Sequence, residues 1–265
     1  MVYEGNIIKM RVEYNSPISY YLPVGGREIF INSLLGKDIS VRYQGIINCI
    51  KCGRETKTSF AQGYCYPCFI SAPETEECVL HPELCRAHEG IARDMEFARN
   101  HCLIDHFVYI ALSSEIKIGV TRRTQIPARW MDQGATSAIK LARAPNRYLA
   151  GLIEVALKTV FKDKTNWRRM LTDGIIEHYS LIEEKRKAEN SIPEQFKEYI
   201  TNDDEIFTFS YPVNEYPGKV KGISLDKAPE YTGKLAGIKG QYLIFKDGSV
   251  LNIRKHAGYF IQIKA

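Results

Sequence analysis

Two cysteine pairs constrain the fold of this chain more than any other feature of its sequence. Cys49 and Cys52 form one C-x2-C motif, Cys65 and Cys68 form another, and twelve residues separate them. Two such motifs supply the four thiolates of a closed tetrahedral Zn²⁺ shell, which leaves no position for a substrate. The spacing therefore predicts a structural zinc site. Four unrelated buried thiols are the alternative; an iron–sulfur cluster also fits the ligand type, but the zinc-ribbon spacing favours zinc.

Three further cysteines lie among four histidines between residues 78 and 106. The spacing of Cys78, His81, Cys85 and His88 can close a second tetrahedral site by itself, and Cys102 can replace either histidine. We expect the set Cys78, Cys85, His88 and Cys102, because a ligand just before the next strand would tie two domains together. The chain is thus predicted to bind two structural Zn²⁺ ions.

The composition places the chain among ordinary globular proteins. Its 265 residues carry 36 Lys and Arg against 31 Asp and Glu, and 25% of the residues are charged, which excludes collagen-like, low-complexity and wholly disordered chains. The first residues lack the pattern of a signal peptide, and no apolar run approaches the roughly 18 residues that span a bilayer. We therefore expect a cytoplasmic protein with no membrane partner, in which closely spaced cysteines bind metal rather than form disulfides.

Positive charge is concentrated in the middle of the chain. Residues 1–104 carry 11 basic and 12 acidic side chains, a net charge of −1, and residues 172–265 carry 13 and 14, again −1. The 67 residues between them carry 12 and 5, a net charge of +7. A surplus of this size is typical of a surface that binds the phosphates of nucleic acid, although a solvated basic face has the same signature.

Segments typical of strands occupy both ends of the chain, where β-branched and aromatic runs alternate with Gly and Pro. Neither end is long enough for a barrel of its own, so we expect both to fold together into one small β-barrel or sandwich. The sequence thus predicts an α+β protein with five segments: strands in 1–48, a zinc-binding segment in 49–104, a central α/β domain in 105–171, a helical linker in 172–210 and strands in 211–265.

The central segment has a regular order of elements. Two apolar strands, Val108 to Leu112 and Ile116 to Val120, are joined by three residues and predict an antiparallel hairpin. A short helix is expected from about residue 126 to 133, and a longer one from about 147 to 161 with an apolar stripe at helical spacing. Three polar residues stand on these elements in turn: Tyr109 on the first strand, Arg129 on the first helix and Glu154 on the second.

This order resembles the GIY-YIG nuclease superfamily, which includes homing endonucleases and the excision-repair incision subunit. Phe107-Val108-Tyr109 stands where that family has GIY, and Lys117-Ile118-Gly119 stands where it has YIG. Arg129 falls where the family's helix carries a phosphate-binding arginine, and Glu154 where it carries a metal-binding glutamate. Asn166 follows Glu154 by twelve residues, as an asparagine often does in the family.

Most of the chain also resembles a bacterial family that combines paired zinc knuckles with the runs KIGVTRR, RWMDQGA and NRYLAGLIEVALK. No activity comes with that second resemblance. The first one implies a central GIY-YIG-like domain that acts on phosphodiester bonds.

Phosphodiester cleavage requires a group that activates water, a cation over the non-bridging oxygens and a metal at the leaving oxygen. The resemblance implies that Tyr109 is the base or orients the water, and that Lys117 beside it lowers the phenol pKa from about 10. Arg129 would hold the scissile phosphate, and Glu154 would hold one Mg²⁺. The flanking backbone would be bound by Arg122, Arg123, Arg143, Arg147, Asn166, Arg168 and Arg169.

The function that we expect from the sequence is a metal-dependent endonuclease whose partner is nucleic acid, with DNA favoured over RNA. The alternative is a non-catalytic, zinc-containing DNA- or RNA-binding module with a retired site, since Lys117 stands where the family has its second tyrosine. A zinc-dependent protein scaffold with no affinity for nucleic acid is the third possibility. Neither the oligomeric state nor the pathway follows from the sequence.

Overall fold

The computed structural model describes residues 1–161, 166–172 and 179–265. In this part of the chain the strands are β1 (Val2–Asn6), β2 (Arg11–Glu13), β3 (Ser19–Val24), β4 (Arg27–Phe30), β5 (Asp38–Ile47), β6 (His106–Leu112), β7 (Ile116–Arg122), β8 (Ser137–Ala144), β9 (Ile206–Thr208), β10 (Lys221–Gly222), β11 (Glu230–Lys239), β12 (Tyr242–Phe245), β13 (Ser249–Asn252) and β14 (Tyr259–Lys264). The α-helices are α1 (Tyr66–Ser71), α2 (Met95–His101), α3 (Ala128–Asp132), α4 (Arg147–Leu157), α5 (Trp167–Met170) and α6 (Leu181–Ser191). Short 3-10 helices lie at Ile31–Leu34, Pro73–Thr75, Glu77–Val79, Pro82–Leu84, Ala87–Glu89, Arg123–Gln125, Glu194–Tyr199 and Arg254–His256.

The chain divides into two compact units. Unit 1 contains Met1–Ile70, Phe209–Ala265 and a short piece that begins at Arg168. Unit 2 contains Ser71–Trp167 and a second piece that ends at Thr208. The predicted zinc-binding segment, 49–104, is therefore shared between the units, with the first four cysteines in unit 1 and the last three in unit 2.

Both ends of the chain contribute to one sheet in unit 1. Its seven strands follow the order β1-β14-β5-β11-β12-β13-β10, and β1 pairs antiparallel with β14 from Val2 opposite Lys264. A second sheet has the order β2-β3-β4. The large sheet ends at β1 and at β10, so within the described residues it does not close into the expected barrel. β10 has only two paired residues, and a short edge strand is one way in which proteins limit unwanted edge pairing.

Unit 2 is built on a four-stranded antiparallel sheet with the order β7-β6-β8-β9. The predicted hairpin forms as β6 and β7, in which Tyr109 lies opposite Gly119. Strand β8 was not predicted, because its alanines have low β-propensity. It forms since both of its faces are covered: Ile139 and Leu141, like three of its alanines, are fully buried. The α+β class is confirmed by this mixture of sheets and helices.

Helices cover the sheet of unit 2. Asn146 caps α4, its side chain accepting a hydrogen bond from the amide of Leu149, and α4 ends at Leu157, earlier than predicted. α6 begins after its cap Ser180 and buries Leu181 and Ala188 in the same core as the sheet. The predicted helical linker, 172–210, thus lies mostly in unit 2 and contains α6, and its residues 173–178 lie outside the described residues.

No helix in the described part of the chain is both long and apolar enough to cross a membrane.

Candidate functional site

The first cysteine group consists of Cys49, Cys52, Cys65 and Cys68, whose four sulfur atoms all lie within 4.8 Å of one another. The sulfurs of Cys52 and Cys65 are 3.8 Å apart. Four thiolates placed about 2.3 Å from one zinc ion at tetrahedral angles have sulfur–sulfur distances of about 3.8 Å. The predicted ligands therefore converge with the spacing that a bound Zn²⁺ requires, and the group can hold a zinc ion.

Backbone amides prepare this group for a cation. Burial opposes the ionisation of Cys49, but hydrogen bonds from the amides of Cys65, Cys52 and Lys51 outweigh it and lower the pKa of Cys49 to about 6. Burial and the neighbouring thiols raise the pKa of Cys68 to about 12. Four thiolates this close cannot all ionise without a positive ion among them.

The second cysteine group consists of Cys78, Cys85 and Cys102, which are buried and whose sulfurs lie within 4.8 Å of one another. Hydrogen bonds from the thiols of Cys102 and Cys78 lower the pKa of Cys85 to about 3. The corresponding hydrogen bonds with Cys78 and Cys85 raise the pKa of Cys102, so the proton stays on Cys102. The guanidinium of Arg147 lies 3.6 Å from the sulfur of Cys78. This group can also hold a zinc ion, with three thiolates from the chain.

The ring nitrogens of His88, the expected fourth ligand, do not converge with the sulfurs of the second cysteine group. Its ring stacks on Tyr148 at a centroid distance of 4.3 Å, and its Nε2 lies 3.8 Å from a carboxylate oxygen of Glu89. Tyr148 itself packs against the second cysteine group. His88 lies on the turn Ala87–Glu89, three residues after Cys85, and its ring nitrogens do not join the group of three sulfurs, so the expected ligand set is corrected to the three cysteines.

The central residues converge in one cavity of unit 2, which we call the tyrosine pocket. Its volume is about 140 Å³. Its polar lining comes from β6, β7, the α3 turn and α4: Tyr109, Lys117, Arg129, Gln133 and Glu154. All four predicted catalytic residues are in this set, so the order of motifs along the sequence did identify side chains that meet in space.

Gln133 joins the two strands of the hairpin within this pocket. The hydroxyl of Tyr109 and the ammonium of Lys117 both donate to Oε1 of Gln133, each at 2.8 Å. Gln133 was not among the predicted site residues. The structure gives it the position that fixes both donors.

The tyrosine is held as a neutral phenol. Tyr109 is only 1% exposed, and burial raises its pKa above 10 although Arg129 acts in the opposite direction. The expectation that a neighbouring cation lowers the phenol pKa is therefore wrong in sign, since desolvation is the larger effect. Burial and the charge of Arg129 also lower the pKa of Lys117, to about 8.

Close packing explains two glycines around the pocket. A Cβ on Gly119 would lie 2.7 Å from the hydroxyl of Tyr109, so the strand beside the tyrosine must carry glycine. A Cβ on Gly151 of α4 would lie 2.2 Å from the backbone nitrogen of Glu83. The turn Pro82–Leu84, which follows Cys78 and supplies a pocket wall through Pro82, thus rests directly on the helix that carries Glu154.

The predicted nucleic-acid contacts fall into different environments. Arg147 is buried, and its guanidinium donates to the carbonyls of Cys78 and His101, each at 3.2 Å, so this side chain is used within unit 2. Arg143 pairs with Asp105, with Nε 3.0 Å from the carboxylate. Arg122 is half-buried; the remaining members of the set, Arg123, Asn166, Arg168 and Arg169, are exposed.

Residues 36–261 match the family model described as "Protein of unknown function (DUF2797)". The chain belongs to the DUF2797 family. The matched range contains both cysteine groups and the whole tyrosine pocket. No curated protein and no solved structure matches the chain.

Lys117 makes the stability of this DUF2797 protein depend on pH. Its pKa is about 8 in the folded chain and 10.5 ordinarily, so between these values the unfolded chain binds more protons and stability rises with pH. At pH 7 its burial costs about 3 kcal/mol. We expect Lys117→Met to raise the free energy of unfolding in urea by about 2 kcal/mol at pH 7, and by less at pH 9.5.

The exposed Lys197 provides the control for that substitution, since Lys197→Met should leave the urea midpoint unchanged at both pH values. Lys239, whose pKa burial also lowers to about 8, is present in every variant and cancels in the comparison. A Lys117→Met protein that is no more stable than the wild type at pH 7 would contradict the assigned burial of its charge.

Gly151→Ala is expected to destabilise the DUF2797 fold although alanine is the better helix former. The helix propensity of alanine favours the variant by about 0.5–1 kcal/mol, but the added methyl group overlaps backbone atoms of Pro82 and Glu83. We expect a net loss of about 2 kcal/mol in urea unfolding. The matched control is Gly218→Ala, whose Cβ would meet nothing within 4 Å; equal stability of the two variants would show that the turn does not rest on α4.

Proposed function

We propose that the protein is a Mg²⁺-dependent endonuclease that hydrolyses phosphodiester bonds of nucleic acid, with DNA favoured over RNA. The observation that carries the proposal is that a tyrosine, a lysine, an arginine and a buried glutamate share one small polar cavity within a segment of net charge +7. Each of these residue types can serve one of the roles that phosphodiester hydrolysis requires, which are to activate water, to neutralise the phosphate and to hold a metal.

The arginine and the glutamate have different roles in the proposed reaction: one binds the phosphate and the other binds the metal. Arg129 holds the scissile phosphate, because a guanidinium can donate two parallel hydrogen bonds to non-bridging oxygens. Glu154 is 9% exposed and is the carboxylate in the described lining of the pocket, so it would hold the metal, which when bound would supply positive charge to the phosphodiester.

The tyrosine and the lysine act on the attacking water. Tyr109 is neutral at physiological pH, so its hydroxyl orients the water rather than deprotonates it. Lys117 has a pKa of about 8, which lies close to neutrality, where proton transfer is most efficient. We therefore assign the acceptance of the water proton to the neutral amine of Lys117, positioned by Gln133.

Zinc has a structural part in this proposal. The four thiolates of the first cysteine group close its coordination shell. In the second group we propose that His88 completes the shell once its ring leaves Tyr148, since the turn Ala87–Glu89 begins two residues after Cys85. The second site then fixes the turn Pro82–Leu84, which forms a wall of the tyrosine pocket.

The proposal is tested by incubating the zinc-loaded protein with labelled duplex, single-stranded and branched DNA and with RNA, in Mg²⁺ or Mn²⁺. We expect metal-dependent cleavage of at least one substrate, with a rate that rises with pH through about 8 as Lys117 loses its proton. Absence of cleavage with every substrate and both metals would overturn the proposal.

A non-catalytic nucleic-acid-binding module is the second candidate function. It is favoured by one observation, the raised pKa of Tyr109, which removes the phenolate that could serve as a base. The same experiment separates the two: this candidate predicts binding that weakens steeply with salt and no cleavage under any condition.

A further inference from the structure

A second cavity of unit 2, which we call the arginine pocket, lies beside the tyrosine pocket. Its volume is about 190 Å³, and it shares Val79, Pro82, Val120 and Arg129 with its neighbour. Its charged lining consists of Arg122, Arg129 and Arg147, and no aspartate or glutamate is among the described residues that line it. Three guanidinium groups thus meet without a carboxylate.

Arg122 is the group in this pocket that most clearly needs a ligand. Its Nε is buried, and within the described chain it has no hydrogen-bond partner. A buried donor that is left unsatisfied costs about 1–3 kcal/mol. Burial and the charge of Arg147 also lower the pKa of Arg122, although the nearby Cys102 acts in the opposite direction.

Two other polar groups of the pocket, Arg147 and His106, are fixed by hydrogen bonds within the protein. Arg147 is held by the carbonyls of Cys78 and His101, so its charge stays at the pocket wall. The Nδ1 of His106 lies 2.8 Å from the carbonyl oxygen of Ile104, and burial lowers the pKa of His106 to about 4, so this ring is neutral at physiological pH. Apart from the sulfur of Cys78, which belongs to the second cysteine group, no group in the described lining can carry a negative charge.

We propose that the arginine pocket binds a phosphate group of the nucleic-acid backbone, next to the phosphate that Arg129 holds in the tyrosine pocket. Arg129 lines both cavities, so one chain of phosphates can extend from one to the other. Guanidinium groups match phosphate oxygens in charge and in geometry. That the phosphate belongs to nucleic acid rests on the proposed function. That the pocket binds an anion is inferred from the unsatisfied Nε of Arg122 and does not depend on that function.

The test measures the binding of a fluorescein-labelled oligonucleotide to Arg122→Ala by anisotropy, in a salt series without Mg²⁺. We expect affinity to fall about 10-fold and the slope of log affinity against log salt to decrease by about one. Arg99→Ala, which removes an exposed arginine of α2, is the control and should change neither. Arg122→Lys keeps the positive charge but loses the two parallel N–H donors of the guanidinium. Its affinity for the oligonucleotide should therefore lie between those of Arg122→Ala and the wild type. Zinc content and the thermal midpoint verify that each variant is folded.

A second arm distinguishes the source of the phosphate. Inorganic phosphate is titrated into the wild-type protein and Arg122→Ala, and displacement of the oligonucleotide is measured. The inference is overturned if the oligonucleotide binds equally to Arg122→Ala and Arg99→Ala, or if inorganic phosphate binds through Arg122 while the oligonucleotide does not. The two proposals can fail separately. Binding that depends on Arg122 without any cleavage would reject only the proposed nuclease activity. Cleavage by a protein whose Arg122→Ala variant binds the oligonucleotide normally would reject only the phosphate site in the arginine pocket.

Discussion

Substitution of Cys65 by serine is expected to remove one of two zinc ions from the chain and to destabilise unit 1. Cys65 is 3% exposed, and its sulfur lies 3.8 Å from that of Cys52, so three thiolates would remain around an incomplete shell. Structural zinc contributes roughly 10–16 kcal/mol of apparent binding free energy in zinc-finger peptides. We expect the loss to exceed about 3 kcal/mol, as measured by urea unfolding.

Zinc per chain, measured by elemental analysis, is the direct readout. The wild-type protein should hold two ions, Cys65→Ser and Cys85→Ser one each, and the double variant none. Lys57→Ser, which changes an exposed residue between the two motifs, is the control and should retain both ions. A wild-type protein with fewer than two zinc ions, or with iron in their place, would contradict the assignment of the cysteine groups.

Glu154→Gln is expected to lower the rate of cleavage at least about 100-fold while the protein stays folded and still binds nucleic acid. The substitution keeps the shape of the side chain but removes the charge that, under the proposed function, would hold the metal. Glu154 is nearly buried and its carboxylate lies 3.8 Å from the ammonium of Lys158. The fold should be retained, because the paired side chain of Lys158 is one-third exposed and keeps its charge in contact with water.

A matched control for that variant lies in the same unit. Glu194→Gln changes a carboxylate that pairs with Lys197 at 2.6 Å on the surface, and it should cleave at the wild-type rate. Rates are compared in single-turnover experiments on the same oligonucleotide. Equal rates for Glu154→Gln and the wild type would remove the glutamate from the reaction.

The features that the sequence predicted best are local ones. A C-x2-C pair places two thiols on one turn whatever the rest of the chain does, so the first four ligands could be read from spacing. The hairpin of β6 and β7 could be predicted for the same reason, since strands joined by three residues pair with each other. Tyr109 and Gly119 therefore face each other as their order implied.

The features that were missed depend on contacts distant in sequence. Arg147 is an arginine in a basic segment, and its residue type therefore predicted a phosphate contact. Its partners are instead the carbonyls of Cys78 and His101, which no local pattern indicates. Strand β8 forms because helices and strands cover both of its faces. The direction in which the pKa of Tyr109 shifts depends on the burial of its side chain. Burial is set by the folded unit and cannot be predicted from the residues next to Tyr109 in the sequence.

The fourth ligand of the second cysteine group shows the same limit. Spacing left several histidines possible, and the structure places the three sulfurs together while the ring of His88 stacks on Tyr148. The arginine pocket was equally hidden, since Arg122 and Arg147 lie 25 positions apart and meet only when β7 and α4 pack together.

The central claim is that the tyrosine pocket cleaves phosphodiester bonds with the help of Mg²⁺. It is tested most directly by the single-turnover rate of the zinc-loaded wild-type protein on its preferred oligonucleotide, with Mg²⁺ present or omitted; omission is used rather than a chelator, which would also remove zinc from the thiolates. We predict cleavage that requires the added metal and that Arg129→Ala slows at least about 100-fold. A rate that Mg²⁺ does not change, or one that Arg129→Ala leaves intact, would contradict the claim.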